Sequence, residues 1–132
     1  MVCYGDAAGG ARGSAKVQGS DWALIKDELR PVFGDRLSFK VLSSNPAVRT
    51  RINAVNTRLM SGERMIRLMV DAKKAPNVAK DFDGVRLLKG GSGEIDKAAT
   101  PKLTHLTDGI GYYVAKEFPV ERSFTKSSSL VM

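Results

Sequence analysis

Short apolar runs and stretches of helical period alternate along this chain, and that alternation restricts it to the α/β class. Residues 1–4 form an apolar run bounded by Gly5, as a buried strand of a parallel sheet would be. In residues 20–33, Trp22, Ile25, Leu29 and Val32 or Phe33 recur at helical spacing, with Ser20 or Asp21 placed to cap the first turn. Pro31 threatens the last turn of that helix, because its ring clashes with a continuing helix. After Gly34-Asp35, Leu37, Phe39 and Val41 alternate with Ser38 and Lys40, the period of two that marks a strand. In "SSNPAVRTRINAVNTRLM", Asn45 suits a cap and Pro46 the first helical position. Val48, Ile52, Val55 and Leu59 then make one stripe, Arg49, Arg51 and Arg58 lie on the other face, and Gly62 closes the helix.

The second half repeats the alternation. "MIRLMV" (residues 65–70) is a strand candidate, a short helix is expected around residues 76–82, and "GVRLLK" (residues 84–89) reads as a strand pairing back antiparallel with 65–70. "GGSGEIDKAAT" from Gly90 is a flexible loop. In "PKLTHLTDGIGYYVAKEF", the apolar stripe is Leu103, Leu106, Ile110 and Tyr113 or Val114, while Thr104, His105, Asp108, Gly111 and Tyr112 share a neighbouring face. The Ser-rich tail after Pro119 has no period and is expected to be disordered. The chain therefore divides into one folded unit, residues 1–119, and a tail, residues 120–132.

Composition narrows the function classes. With 132 residues the chain has material for one core. No apolar run approaches the roughly 18 residues that a membrane helix needs, and the N-terminus lacks a secretory layout, so an intracellular protein with no membrane partner is expected. The lone Cys3 leaves no disulfide and no cysteine-based zinc site, and inside an apolar run it reads as a small core residue. A net charge of +7, from 21 Lys and Arg against 14 Asp and Glu, favours polyanionic partners, although lysines also serve solubility alone.

The opening "VCYGDAAGGARGSAK" admits two chemistries. As a phosphate loop it fails: Gly5 and Gly10 have Walker spacing, but Ala11 and Arg12 stand where Lys and a hydroxyl residue are needed, and no G-x-G-x-x-G fits. The loop is also too long to present a helix N-terminus at the strand tip. Alternatively Asp6 is the payload, a carboxylate just past the carboxyl end of a parallel strand, where α/β sheets place their sites. It could equally cap a turn beside Gly5. Asp108 is the second unusual acid, set mid-helix between glycines that suggest a closely packed face, where a carboxylate is costly unless paired or metal-bound. His105 lies one turn earlier and can point to the same site, or serve as a helix-start hydrogen bonder. Arg49, Arg51, Lys73 and Lys74 could line a phosphate-binding groove or simply cover solvated faces.

Taken in order, "NPAVRTRINAVNTRLM", "RLMVDAKKAPNVAKDFDGVRLL" and "GEIDKAATPKLTHLTDGIGYYVAKEFP" resemble the C-terminal nuclease domain of bacteriophage terminase large subunits, the DNA-packaging motors. "YGDAAG" before a "SDW" helix start looks like that family's second acidic strand. The resemblance implies an RNase H-like fold, a mixed sheet flanked by helices, here N-terminally incomplete. It also implies cleavage of double-stranded DNA with two Mg²⁺ or Mn²⁺ ions. By matching motif, Asp6 would be the second catalytic acid and metal ligand, Asp108 the third, and His105 a residue near the metal or scissile phosphate. Arg49, Arg51, Lys73, Lys74 and Lys97 are the candidates for contact with DNA. The first acidic strand, its neighbours and the ATPase domain have no counterpart upstream of Asp6, so weak or absent cleavage by this chain alone is expected. Implied partners are the portal protein and the small terminase subunit, in the cytoplasm of a host bacterium. A non-catalytic basic DNA-binding or packaging-assembly module is the alternative reading.

Overall fold

The computed structural model describes residues 1–10, 19–91, 95–96, 98–99 and 103–120. It is a mixed α/β fold of four helices and a small parallel sheet. In chain order the elements are β1 (Val2–Cys3), α1 (Asp21–Phe33), β2 (Ser38–Phe39), α2 (Val48–Leu59), α3 (Pro76–Gly84) and α4 (His105–Glu117). Short 3₁₀ turns follow β1 (Ala7–Gly10) and α1 (Gly34–Arg36).

The two strands pair in parallel, Val2 opposite Ser38 and Cys3 opposite Phe39, with Ser38 N–H on the Met1 carbonyl and Lys40 N–H on that of Cys3, both 2.9 Å. This is the parallel pair expected of two strands joined by a helical crossover. That crossover, α1, starts where the sequence placed it: the Ser20 hydroxyl accepts from Ala23 N–H at 3.2 Å. Pro31 does not end it. Pro31 and Asp27, whose carbonyl loses its partner to the ring, are both exposed to water, so the helix runs on to Phe33. Gly34, at φ 51°, then closes it by donating to the Arg30 carbonyl.

The core lies elsewhere. α2 packs against α4, and α3 against the start of α4, around buried Ala54, Val55 and Val114, with Leu59, Leu68, Phe82 and Ile110 packed beside them. The buried face of α4 keeps Val114 and Ile110 of the expected stripe and adds Gly111, whereas Leu106 and Tyr113 are exposed. Gly111 faces Arg51 of α2, and the larger residues are left to the rim. Tyr113 instead packs edge-on against Tyr4 at 5.0 Å between centroids, next to the Tyr4 hydroxyl that donates to Glu117 at 2.8 Å. Lys40 meets the same Glu117 oxygen at 2.7 Å, so the end of α4 is tied to both strands. That shared contact shifts Glu117 and Lys40 in opposite directions, while burial first and then Glu117 raise the Tyr4 hydroxyl. The hydrogen bond from Lys40 first, then that from Tyr4, hold the Glu117 carboxyl below its ordinary range, and the same carboxylate raises the Lys40 ammonium.

Three other expectations change. Residues 65–70 form no strand: the Arg67 and Leu68 amides both converge on the Arg58 carbonyl, which folds the segment onto the end of α2 rather than into a ladder. The "GVRLLK" run makes its antiparallel bridge between Leu87 and Ile95, across the Gly90-Gly91 turn, not with 65–70. Cys3 is half-buried rather than a core residue. The tail beyond Val120 lies outside the described residues. No helix among the described residues is long and apolar enough to cross a membrane.

Candidate functional site

Asp6 follows the tip of β1, in the turn that leads into Ala7–Gly10. One of its carboxylate oxygens accepts the Ala8 amide at 2.6 Å and the Asn45 side-chain amide. Asn45 also accepts Ala7 N–H at 2.8 Å, so it joins the two loops rather than capping α2, whose N-cap is Ala47. The Ala8 amide first, then Asn45, and more weakly the Tyr112 hydroxyl and the Arg51 charge, hold the Asp6 carboxyl below its ordinary value against a partial desolvation that pushes the other way.

The glycines of this turn have a different purpose from either sequence reading. The Trp22 indole lies over them: a Cβ on Gly5 would fall 2.6 Å from Trp22 Cη2, and one on Gly9 2.7 Å from Nε1. The indole N–H donates to the Asp6 carbonyl at 2.9 Å. The glycines therefore make room for α1 against the strand tip, and Trp22 fixes the backbone that carries Asp6. Neither the sequence spacing nor the composition of the loop signals this, because the partner is a side chain beyond the loop.

Asp108 reaches the same region from α4. Its Oδ1 takes Arg51 Nη1 at 3.0 Å, and the guanidinium of Arg51 lies 4.3 Å from the centroid of the Tyr112 ring. The charge of Asp6 also acts on Tyr112. Burial raises the Tyr112 hydroxyl above its ordinary pKa, the Arg51 charge opposes this, and the charges of both Asp6 and Asp108 add to the rise. Asp108 contacts Arg51 directly, whereas Asp6 is joined to Arg51 and Tyr112 only through the field of their charges. A cleft of about 170 Å³ between α2, α4 and the bridged residues Leu87 and Ile95 opens beside Arg51 and Asp108, with Val48, Ile52 and Phe82 among its walls.

The other expected site residues are dispersed. His105 is exposed and lines a separate depression with Asn77, Lys80 and Asp81, away from the cleft that Asp108 lines. Arg51, expected on a groove, is instead buried against Asp108, whereas Arg49, Lys73 and Lys74 are exposed. Lys73 and Lys74 follow Asp71, whose carboxylate accepts both of their amides. Lys97 lies outside the described residues.

Asp81 was not anticipated. Only 2 % exposed, it accepts the amides of Thr104, Leu106 (3.0 Å) and Thr107 (2.8 Å). It is the N-terminal cap of α4, supplied by α3 instead of by the residue before the helix. Thr104 sits at φ 99°, a conformation costly for a β-branched residue, and the Asp81 contact to its amide holds it there. Burial alone would raise the Asp81 carboxyl, but the amides of Thr104, Thr107 and Leu106 and the Thr107 hydroxyl outweigh it and leave the group below its ordinary value.

Compared with known protein families, curated proteins and solved structures, the chain matches none. Function has to be argued from the site itself. Asp6 and Asp108 are hard oxygen donors of the kind Mg²⁺ or Mn²⁺ take, and Mg²⁺ is often held by only one or two carboxylates and waters, but here Asp6 is engaged by the Ala8 and Asn45 amides and Asp108 by Arg51. No group of three or more His, Cys, Asp and Glu side chains stands ready for a metal among the described residues, so a two-ion arrangement would need donors beyond these.

Proposed function

We propose that this chain is the C-terminal part of an RNase H-like nuclease domain of the phage terminase type, acting on double-stranded DNA and weak or inactive by itself. The observation that supports the reading is that Asp6, past the tip of a parallel strand, and Asp108, on the last helix, both lie near enough to Tyr112 for their charges to act on it. Sequence spacing alone does not require the two ends of the chain to meet there. Asp6 and Asp108 would hold the divalent ion, which when bound supplies the charge that activates water and stabilises the leaving oxygen.

The chain's own residues have separable tasks. Trp22 and Asn45 fix the turn that presents Asp6, and the Ala8 and Asn45 amides favour the charged form of its carboxylate and hold it below its ordinary range. Asp81 fixes the start of α4 and so the height at which Asp108 is presented. The exposed Arg49, Lys73 and Lys74, together with the net charge of +7, would contact the DNA backbone without reading sequence.

A second reading is favoured by the Arg51–Asp108 pair. An acid already neutralised by a buried arginine suits a non-catalytic DNA-binding or assembly module. Nicking of supercoiled plasmid in Mn²⁺ separates the two. Slow nicking by this chain, abolished by both Asp6→Asn and Asp108→Asn in proteins that retain their circular dichroism, is the expected result. Salt-sensitive DNA binding with no nicking, unchanged by either substitution, would replace the nuclease with the binding module.

A further inference from the structure

We propose that the cleft between α2, α4 and the Leu87–Ile95 bridge is a pocket for one unpaired nucleobase, carried on a DNA strand or presented as a free nucleoside. The choice of a base as occupant rests on reading the chain as acting on DNA, whereas the pocket depends neither on Asp6 nor on a metal ion.

Size and lining come first. At about 170 Å³ the cleft has room for one small aromatic ring system, since an apolar cavity of about 150 Å³ accepts benzene. Val48, Ile52 and Val55 of α2, Phe82 of α3, and Leu87 and Ile95 supply apolar surface on which the faces of a flat ring can be buried. Because this is a cleft and not a closed cavity, the sugar attached to the ring stays outside. Arg49 is exposed one residue after the wall residue Val48, so a cation is at hand for the phosphate of an attached strand.

The polar groups of the cleft are few, and they suit the edge of a base. Asn56 lines it from an exposed position, and its side-chain amide carries both a donor and an acceptor, the two kinds of group that base edges present. Arg51 is the second and independent sign of a ligand. Its side chain lines the cleft at only 7 % exposure, with Nη1 on Asp108 and a buried Nε that has no hydrogen-bond partner among the described residues. A buried donor left unmet calls for an acceptor. A ring carbonyl or ring nitrogen in the cleft would supply one after a small turn of the guanidinium. The charges of Arg51 and Asp108 offset each other, so the cleft favours a neutral heterocycle over a bare anion. A base inside a duplex is stacked and paired, and reaches such a pocket only when it is unpaired or turned out of the helix.

The test is an NMR titration of the full wild-type chain without divalent metal, following the methyls of Ile52 and Ile95 and the Nε–H of Arg51. The probes are thymidine and deoxyguanosine, toluene as a ring without polar groups, and a DNA duplex with one bulged thymidine beside the same duplex fully paired. At least one nucleoside should move all three resonances saturably. Asn56→Ala, at an exposed position, should weaken that binding roughly threefold to tenfold. Preference for the bulged duplex, with displacement by the free nucleoside, would identify a base on a strand as the occupant; nucleoside binding with no difference between the duplexes would identify the free nucleoside. Toluene moving the methyls while neither nucleoside does, or nucleoside binding that leaves Arg51 Nε–H stationary and is the same in Asn56→Ala, would overturn the base pocket. Nucleoside binding by a chain that nicks no DNA would remove the nuclease reading and leave the pocket standing.

Discussion

Gly9 and Trp22 show what a single residue decides here. A Cβ on Gly9 would meet Trp22 Nε1 at 2.7 Å, and the indole is pinned by its bond to the Asp6 carbonyl. Gly9→Ala should therefore cost about 1–3 kcal/mol in urea unfolding, and the emission of Trp22, the chain's single tryptophan, should shift to the red. Asp81 gives a second prediction. Asp81→Asn removes the charged acceptor of the Thr104 amide and of two amides in the first turn of α4 and should destabilise by about 2 kcal/mol at neutral pH. The sign with pH follows from the lowered carboxyl: its contribution is complete above an unfolded value of about 3.9 and is lost as pH falls through the still lower folded value. The wild type should thus lose stability below about pH 4 more steeply than Asp81→Asn, as read from urea midpoints across that range. Neither residue was legible in the sequence. The glycines sit in a loop that looks built for an anion or a metal, and Asp81 sits mid-helix with its partners on another helix, so no local spacing marks either one.

At the scale of elements, local signals worked where the partners were local. Ser20 capping α1 and Pro76 opening α3 depend on neighbours a turn away, and both are found in place; on α2, Val55 and Leu59 of the expected stripe face the core, but Arg51, expected on the other face, and Ala54 are buried with them. Asn45 failed for the opposite reason, since Asp6 outcompeted the helix end for its side chain. α4 shows the mixed case. Both of its glycines read as signs of close packing, yet only Gly111 meets another element, with Arg51 Cβ 3.6 Å from where its own Cβ would be; Gly109 is exposed with nothing within 4 Å. Gly109→Ala should therefore stabilise the protein by about 0.5–1 kcal/mol through helix propensity alone, measured as a raised urea midpoint with an unchanged slope. A destabilisation would mean that the face of α4 at Gly109 is covered.

The whole molecule has more apolar surface than its described core can use. The buried apolar residues are Ala54, Val55 and Val114, while Ile66 is 56 % exposed, Met69 81 % and Val32 68 %. Parallel sheets are ordinarily covered on both faces, but β1 and β2 form a two-stranded sheet with outward Val2 also exposed. The alternation of the sequence made the α/β class legible, because helix and strand periods are properties of short windows. It did not show how many strands would find partners, since strand pairing depends on what lies alongside. The 65–70 segment carries that uncertainty most clearly: apolar enough to be a strand, it lies on the end of α2 through two amides that share the Arg58 carbonyl. An exposed apolar segment that lies outside any ladder is a surface for association with another copy. Replacing Ile66 and Met69 together with lysine should leave the urea midpoint within about 0.5 kcal/mol of wild type, because neither side chain is buried. The same pair of changes should lower the concentration-dependent light scattering of the protein. A large loss of stability instead would place these side chains in a core contact, and unchanged scattering would move the association surface to the open edge of β1.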